Sequence, residues 1–140
     1  MGKEKSAHIE WTGADLDMTA TFTDGYRLQM SGPADAEGTT PMELLLAGAA
    51  GCTAMDVVTI LKKKREPLEG LELEISAEQA DGYPYVYTRG KIVYIVKGEG
   101  VSPKAVQQAI DLSQKTYCSA SIMLKRSGME LTTEFRIEAG

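Results

Sequence analysis

The sequence predicts an α+β fold with the element order βββ-α-ββ-αα-β. Three observations carry that prediction. Alternating polar and apolar segments occur before residue 30, between 69 and 100, and after 129. A long apolar helical stretch occupies residues 41–65, and a second helical pair lies between 103 and 128. Strands that bracket a buried helix imply α+β packing and not a doubly wound parallel sheet.

Each element has a local reason. "AHIEW" and "LDMTATF" alternate, with Gly13 between them, and "TDGY" is a turn signal before "YRLQM". "SGPADAEGTT", residues 31–40, reads as a loop by composition. Thr40 can then cap a helix that has Pro41 at its first position and Glu43 in its first turn. From Leu44 to Leu61 apolar residues cover nearly every face, which predicts a central helix buried on all sides. "KKKR", residues 62–65, is a solvated helix end whose charge suits the negative pole of the dipole, and Pro67 stops it.

"EGLELEISAEQ" alternates strictly and predicts a half-exposed strand. "DGYPYVYTRG" reads as a turn into the strand "GKIVYIVKGEG", with Tyr83, Tyr85 and Tyr87 alternating on one face. Ser102 caps a helix that opens with Pro103 and carries apolar residues at 106, 109, 110 and 112. A kink is expected around Cys118, followed by a helical "ASIMLKRSG" ended by Gly128 and a last strand, "MELTTEFRIE".

With 140 residues, the chain is expected to form a single domain, residues 1–140. It is 43% hydrophobic and 25% charged, a globular composition. Its net charge of −5 argues against nucleic acid or an anionic membrane as the main partner. Gly, Thr, Glu and Asp interrupt the longest apolar run, so none is expected to reach the roughly 18 residues of a membrane span. The N-terminus has no apolar core of a signal peptide, and a cytoplasmic location is expected. His8 is the only histidine, so neither a Cys/His metal site nor a Ser-His-Asp hydrolase is expected.

The two cysteines, Cys52 and Cys118, lie 66 residues apart in apolar helical segments. Free cysteine is among the most buried residue types, so inert packing accounts for both. Yet Cys52 follows Gly51 in the small-residue run "AGAAGC", which leaves room beside the thiol. It lies eleven residues beyond Pro41, where the helix dipole no longer acts on it. A reactive Cys52 therefore needs a cation from outside its helix, and Arg27 on the strand before the helix is the candidate.

"TPMELLLAGAAGC" followed by "YCSAS" resembles the OsmC/Ohr family (osmotically inducible protein C and organic hydroperoxide resistance proteins), over nearly the whole chain. The resemblance implies an intertwined homodimer with two active sites at the subunit interface. It also implies thiol-dependent reduction of organic hydroperoxides, with Cys52 as the peroxidatic and Cys118 as the resolving cysteine. No bound cofactor is implied, only an external dithiol such as dihydrolipoamide.

The sequence departs from the family pattern at two places, and in them it is similar to the YhfA-like branch. Met42 stands where the characterised members have an acid, with Glu43 one residue on. Glu43 lies about half a turn from Cys52 and suits the first turn of the helix better. Asp56, one turn after Cys52, is either the replacement acid, holding an arginine over the thiol, or a structural group paired with a strand residue. Ser119 stands in place of proline after the second cysteine. The alternative function is a non-enzymatic protein that binds a small hydrophobic ligand at the dimer interface.

Overall fold

The three N-terminal alternating segments form strands β1 (Ala7–Trp11), β2 (Met18–Phe22) and β3 (Arg27–Met30). They pair antiparallel in the order β1-β2-β3, with Ala7 opposite Phe22 and Thr21 opposite Arg27. The "TDGY" turn closes through a hydrogen bond from the Gly25 amide to the Phe22 carbonyl, 2.9 Å. Gly25 takes φ = 90° there, a conformation that glycine adopts without a Cβ clash. The structure is a computed structural model that describes residues 2–32 and 38–140. Residues 33–37 of the expected 31–40 loop lie outside the described residues.

The chain divides into two compact units, Met1–Leu45 and Leu46–Gly140. The first holds the small sheet and the start of helix α1 (Pro41–Lys63). That start is a reciprocal cap. Thr40 Oγ1 accepts from the Glu43 amide at 3.3 Å, while Glu43 Oε1 accepts from the Thr40 amide at 3.1 Å. These bonds from Thr40 hold the Glu43 carboxyl below its usual pKa. Glu43 is thus committed to the helix end.

In the second unit, β4 (Gly70–Gln79) and β5 (Tyr87–Lys97) run antiparallel, and β6 (Glu130–Glu138) runs parallel to β5. The order β4-β5-β6 makes β5 the central strand. A parallel neighbour requires a crossover. It is made by α2 (Pro103–Leu112), a five-residue π-turn (Ser113–Tyr117) and α3 (Ser119–Arg126). The core joins Val57 and Leu61 of α1, Ile92, Tyr94 and Val96 of β5, and Val106 and Ile110 of α2. Each such side chain contributes about 1.5–3 kcal/mol relative to its exposed state.

The element order is the expected one, and three details differ. First, α1 is not buried on every side. Ala49, Thr53, Val57 and Leu61 form the buried stripe, at steps of four residues, while Leu45 and Met55 are exposed. A helix packed in one layer over one sheet covers one face, and its remaining apolar faces stay open. Second, α1 is long and apolar enough to cross a membrane by length and composition, contrary to the sequence reading. Its small residues and scattered polar groups lower the local average less than the leucines and valines raise it. Third, β5 begins at Tyr87 within the expected turn. Tyr87 is buried, whereas Tyr83 is exposed and packs on Tyr85 with ring centroids 4.4 Å apart, so the three tyrosines do not share one face.

Candidate functional site

Beside the buried stripe of α1, within the second unit, lie two residues expected at the site. Cys52 and Asp56 lie one turn apart on the helix and both are half-buried. Cys118 stands at the start of α3 and is fully buried. The π-turn makes that possible. The Cys118 amide donates to the Ser113 carbonyl, five residues back, at 2.7 Å, so the turn is wider than an α-turn and delivers Cys118 as the cap of α3. The Cys118 and Cys52 sulfurs and a carboxylate oxygen of Asp56 all lie within 4.8 Å of one another. Three of the four residues expected at the site are therefore together, and they are also three donor atoms of the kind that can hold a metal ion.

The fourth, Arg27, opens β3 and is exposed; it belongs to the first unit, the triad to the second. Within residues 46–140 no lysine or arginine forms an ion pair with Asp56. The Asp56 carboxylate accepts instead from Ser113 Oγ, which reaches Oδ2 at 2.9 Å.

That one bond orders a buried polar network. Ser113 Oγ is the donor in that bond, so its single hydroxyl proton is spent on Asp56. The 2.7 Å contact between Ser113 and Thr53 then has Thr53 as donor. Thr53 in turn accepts from the Tyr94 hydroxyl at 2.8 Å. Gln114 Nε2 stands 3.2 Å from both Thr53 Oγ1 and Tyr94 Oη, and 3.3 Å from Ser121 Oγ. The orientation of the Gln114 amide is fixed by Lys125, whose ammonium donates to its carbonyl groups: the main-chain oxygen at 2.8 Å and Oε1 at 3.3 Å.

The network ends on the buried thiol. Cys118 Sγ donates to Ser121 Oγ at 3.0 Å and accepts from the Ser121 amide at 3.4 Å. Burial pushes the Cys118 thiol above its ordinary pKa; the two Ser121 hydrogen bonds pull the other way, and the nearby Cys52 adds to the rise. Burial likewise raises the Tyr94 phenol, against its hydrogen bonds with Thr53 and Gln114. Both groups thus hold their protons in the folded protein.

Sequence reasoning missed Thr53, Tyr94, Ser113, Gln114, Ser121 and Lys125. One signal was available: Thr53 falls at the fourth-residue step between Ala49 and Val57, a polar residue on the most buried line of the helix. A polar group there requires partners.

Comparison with known proteins bears on the family and the fold. Residues 32–134 match the family model of OsmC-like proteins. The chain is 31% identical over 133 residues to protein YhfA of Escherichia coli (strain K12), covering 95% of this chain and 98% of that protein. The structure of an OsmC-like protein from Mycoplasma pneumoniae superposes with a TM-score of 0.85 at 17% identity, over 98% of this chain and 99% of that one. An organic hydroperoxide resistance protein OsmC from Legionella pneumophila gives 0.72 at 14% identity, over 95% and 96% of the two chains. A family model that spans most of the chain and a relative at 31% identity along nearly its whole length show that the chain belongs to the OsmC-like protein family.

Proposed function

We propose that the protein is a thiol-dependent peroxidase that reduces organic hydroperoxides through Cys52 and Cys118, acting as a homodimer in defence against oxidative stress. The observation that carries this reading is the approach of two sulfurs, 66 residues apart in sequence, to within 4.8 Å. A sulfur–sulfur bond of about 2.05 Å needs a local shift and no refolding. The solved relative from Legionella is an organic hydroperoxide resistance protein, which supports the same reading.

Cys52 is the half-buried thiol that a peroxide can reach, and Cys118 the buried one that keeps its proton. The Cys52 thiolate attacks the distal peroxide oxygen. An S–O bond forms, the O–O bond breaks, and the leaving alkoxide takes the Cys118 proton to become an alcohol. The Cys118 thiolate then attacks the sulfenic sulfur. An S–S bond forms, and the departing hydroxide takes a proton from solvent as water. An external dithiol, dihydrolipoamide or a lipoylated protein, returns two electrons and both protons.

Asp56 and Arg27 complete the proposed machinery. Arg27 is the guanidinium assigned to the thiolate, on its place in the sequence before the helix, and Asp56 is the acid assigned to orient it. The reading takes residues 1–140 as one functional domain, because the matched stretch 32–134 runs through both units. The exposed apolar residues of α1, Leu45 and Met55, support the homodimer.

The test is consumption of cumene hydroperoxide by the dithiol-reduced protein, beside Cys52→Ser and Cys118→Ser. Rapid consumption that needs Cys52, with turnover that needs Cys118, is expected. Equal slow rates in all three proteins would overturn the peroxidase reading and leave binding of a small hydrophobic ligand.

A further inference from the structure

We propose that Cys52, Asp56 and Cys118 form a binding site for one thiophilic divalent cation of the zinc class, held by two thiolates and one carboxylate oxygen. Cys52 and Asp56 are spaced i, i+4 on α1, the spacing by which a helix presents two metal ligands on one face. Cys118 supplies the third donor from the end of the π-turn, and the three donor atoms already lie within 4.8 Å of one another. Tetrahedral zinc with bonds of about 2.3 Å to sulfur places two sulfurs about 3.8 Å apart, so the donors need move by no more than about 1 Å.

The surroundings are those of a metal centre in three respects. Ser113 holds Asp56 through Oδ2, while Oδ1 accepts no hydrogen bond among the described residues and is available to an ion. The Ser121 amide points at the Cys118 sulfur from 3.4 Å, a contact that also suits a thiolate. A cleft of about 490 Å³, lined by Asp56, Ile60, Lys63, Leu112 and Tyr117 among others, reaches one of the three ligand residues, Asp56. Two thiolates and a carboxylate would concentrate three negative charges, and within residues 46–140 no cation is paired with them. Lys125 is held at Gln114.

Binding releases two protons, one from each thiol, and leaves a fourth position for water or another ligand. The ion and a Cys52–Cys118 disulfide use the same sulfurs, so the two states exclude each other. The inference goes beyond the peroxidase reading and does not depend on it: a chain inert toward peroxides can bind the ion.

The experiment uses the full chain, reduced with a phosphine and freed of reductant. Zn²⁺ is titrated against a chromophoric indicator, and Co²⁺ serves as the spectroscopic probe. One equivalent per chain is expected, with thiolate-to-cobalt charge-transfer absorption. Cys52→Ser and Cys118→Ser should each weaken binding by more than about a hundredfold, and Ser113→Ala, which frees the Asp56 carboxylate, by about tenfold. Oxidation of the wild type with diamide should expel the ion, and reduction should restore it. Absence of thiolate charge transfer, or unchanged affinity in Cys118→Ser, would overturn the proposal. Should either serine variant fail to fold by circular dichroism, the oxidation arm decides: retention of a tight equivalent after both thiols are lost means that the ion is held elsewhere. Peroxide consumption by the metal-free protein is scored separately and bears only on the peroxidase reading.

Discussion

The Ser113 hydroxyl donates to Asp56 across 57 residues of sequence, at 2.9 Å, and this bond fixes the direction of the hydroxyl chain behind it. Asp56 faces the thiols at one end of that chain, and Tyr94, on the central strand, closes the other. Site and core are therefore one network, and its members affect both reactivity and stability.

Removing the middle of that chain should be costly. Thr53→Val keeps the shape of the side chain but leaves Tyr94 without its acceptor and Ser113 without its donor. A loss of about 2–3 kcal/mol is expected, because buried polar groups stripped of partners carry their desolvation cost. Tyr94→Phe removes one end only and should cost about 1 kcal/mol. Urea denaturation of the reduced proteins measures both, and a Thr53→Val protein as stable as wild type would refute the network.

Asp56→Asn tests the assignment of the acid. If Asp56 orients the guanidinium assigned to Cys52, the variant should consume cumene hydroperoxide about tenfold more slowly, as expected for the loss of one positioning group. Ser113→Ala should act in the same direction and less. A faster Asp56→Asn enzyme would mean that the carboxylate stands unpaired beside the thiols and opposes the thiolate.

Stability should fall in alkali, and Cys118 should be the first cause. Its folded pKa is raised, chiefly by burial, so the folded state keeps a proton that the unfolded chain releases. Its contribution is fully present below the unfolded thiol value, and it is lost as pH rises above about 9 toward the folded value. The raised Tyr94 phenol adds a loss in the same direction at higher pH. Denaturation midpoints at about pH 8 and pH 10 should differ more for wild type than for Cys118→Ala. Parallel behaviour of the two proteins would contradict this.

Gly90 marks a close approach in the second sheet. A Cβ there would meet Met129 Cε at 2.6 Å and the Ser76 carbonyl oxygen at 2.9 Å. The methionine end can move, but the strand backbone cannot without disturbing the β4–β5 pairing. Gly90→Ala should lose about 1–3 kcal/mol by thermal or urea unfolding. An unchanged midpoint would show that the strands separate freely.

Much of this was legible in the sequence, for physical reasons that differ by element. Thr40, Pro41 and Glu43 announced the start of α1; Glu43 was expected as a first-turn acid turned away from Cys52, and the structure adds its bond back to Thr40. The alternation in "ELEIS" and "TTEFRIE" gave the strands, because a half-exposed strand writes its two faces into the sequence. The helix kink at Cys118 was expected, but its form was not: a π-turn depends on one extra residue within a continuous helical pattern, and composition does not reveal it. The Thr53–Ser113–Tyr94 network was also hidden, since partners 41 and 60 residues apart carry no periodic mark. The burial of α1 was overread. An apolar periphery does not say whether it is covered by the same chain or by another.

The most direct measurement is peptide mapping of the reduced protein after one equivalent of cumene hydroperoxide, with free thiols blocked by an alkylating agent. The account predicts a single cross-linked peptide joining Cys52 to Cys118 within one chain, formed at the rate at which peroxide disappears. Recovery of both cysteines alkylated and unlinked, with the peroxide intact, would contradict it.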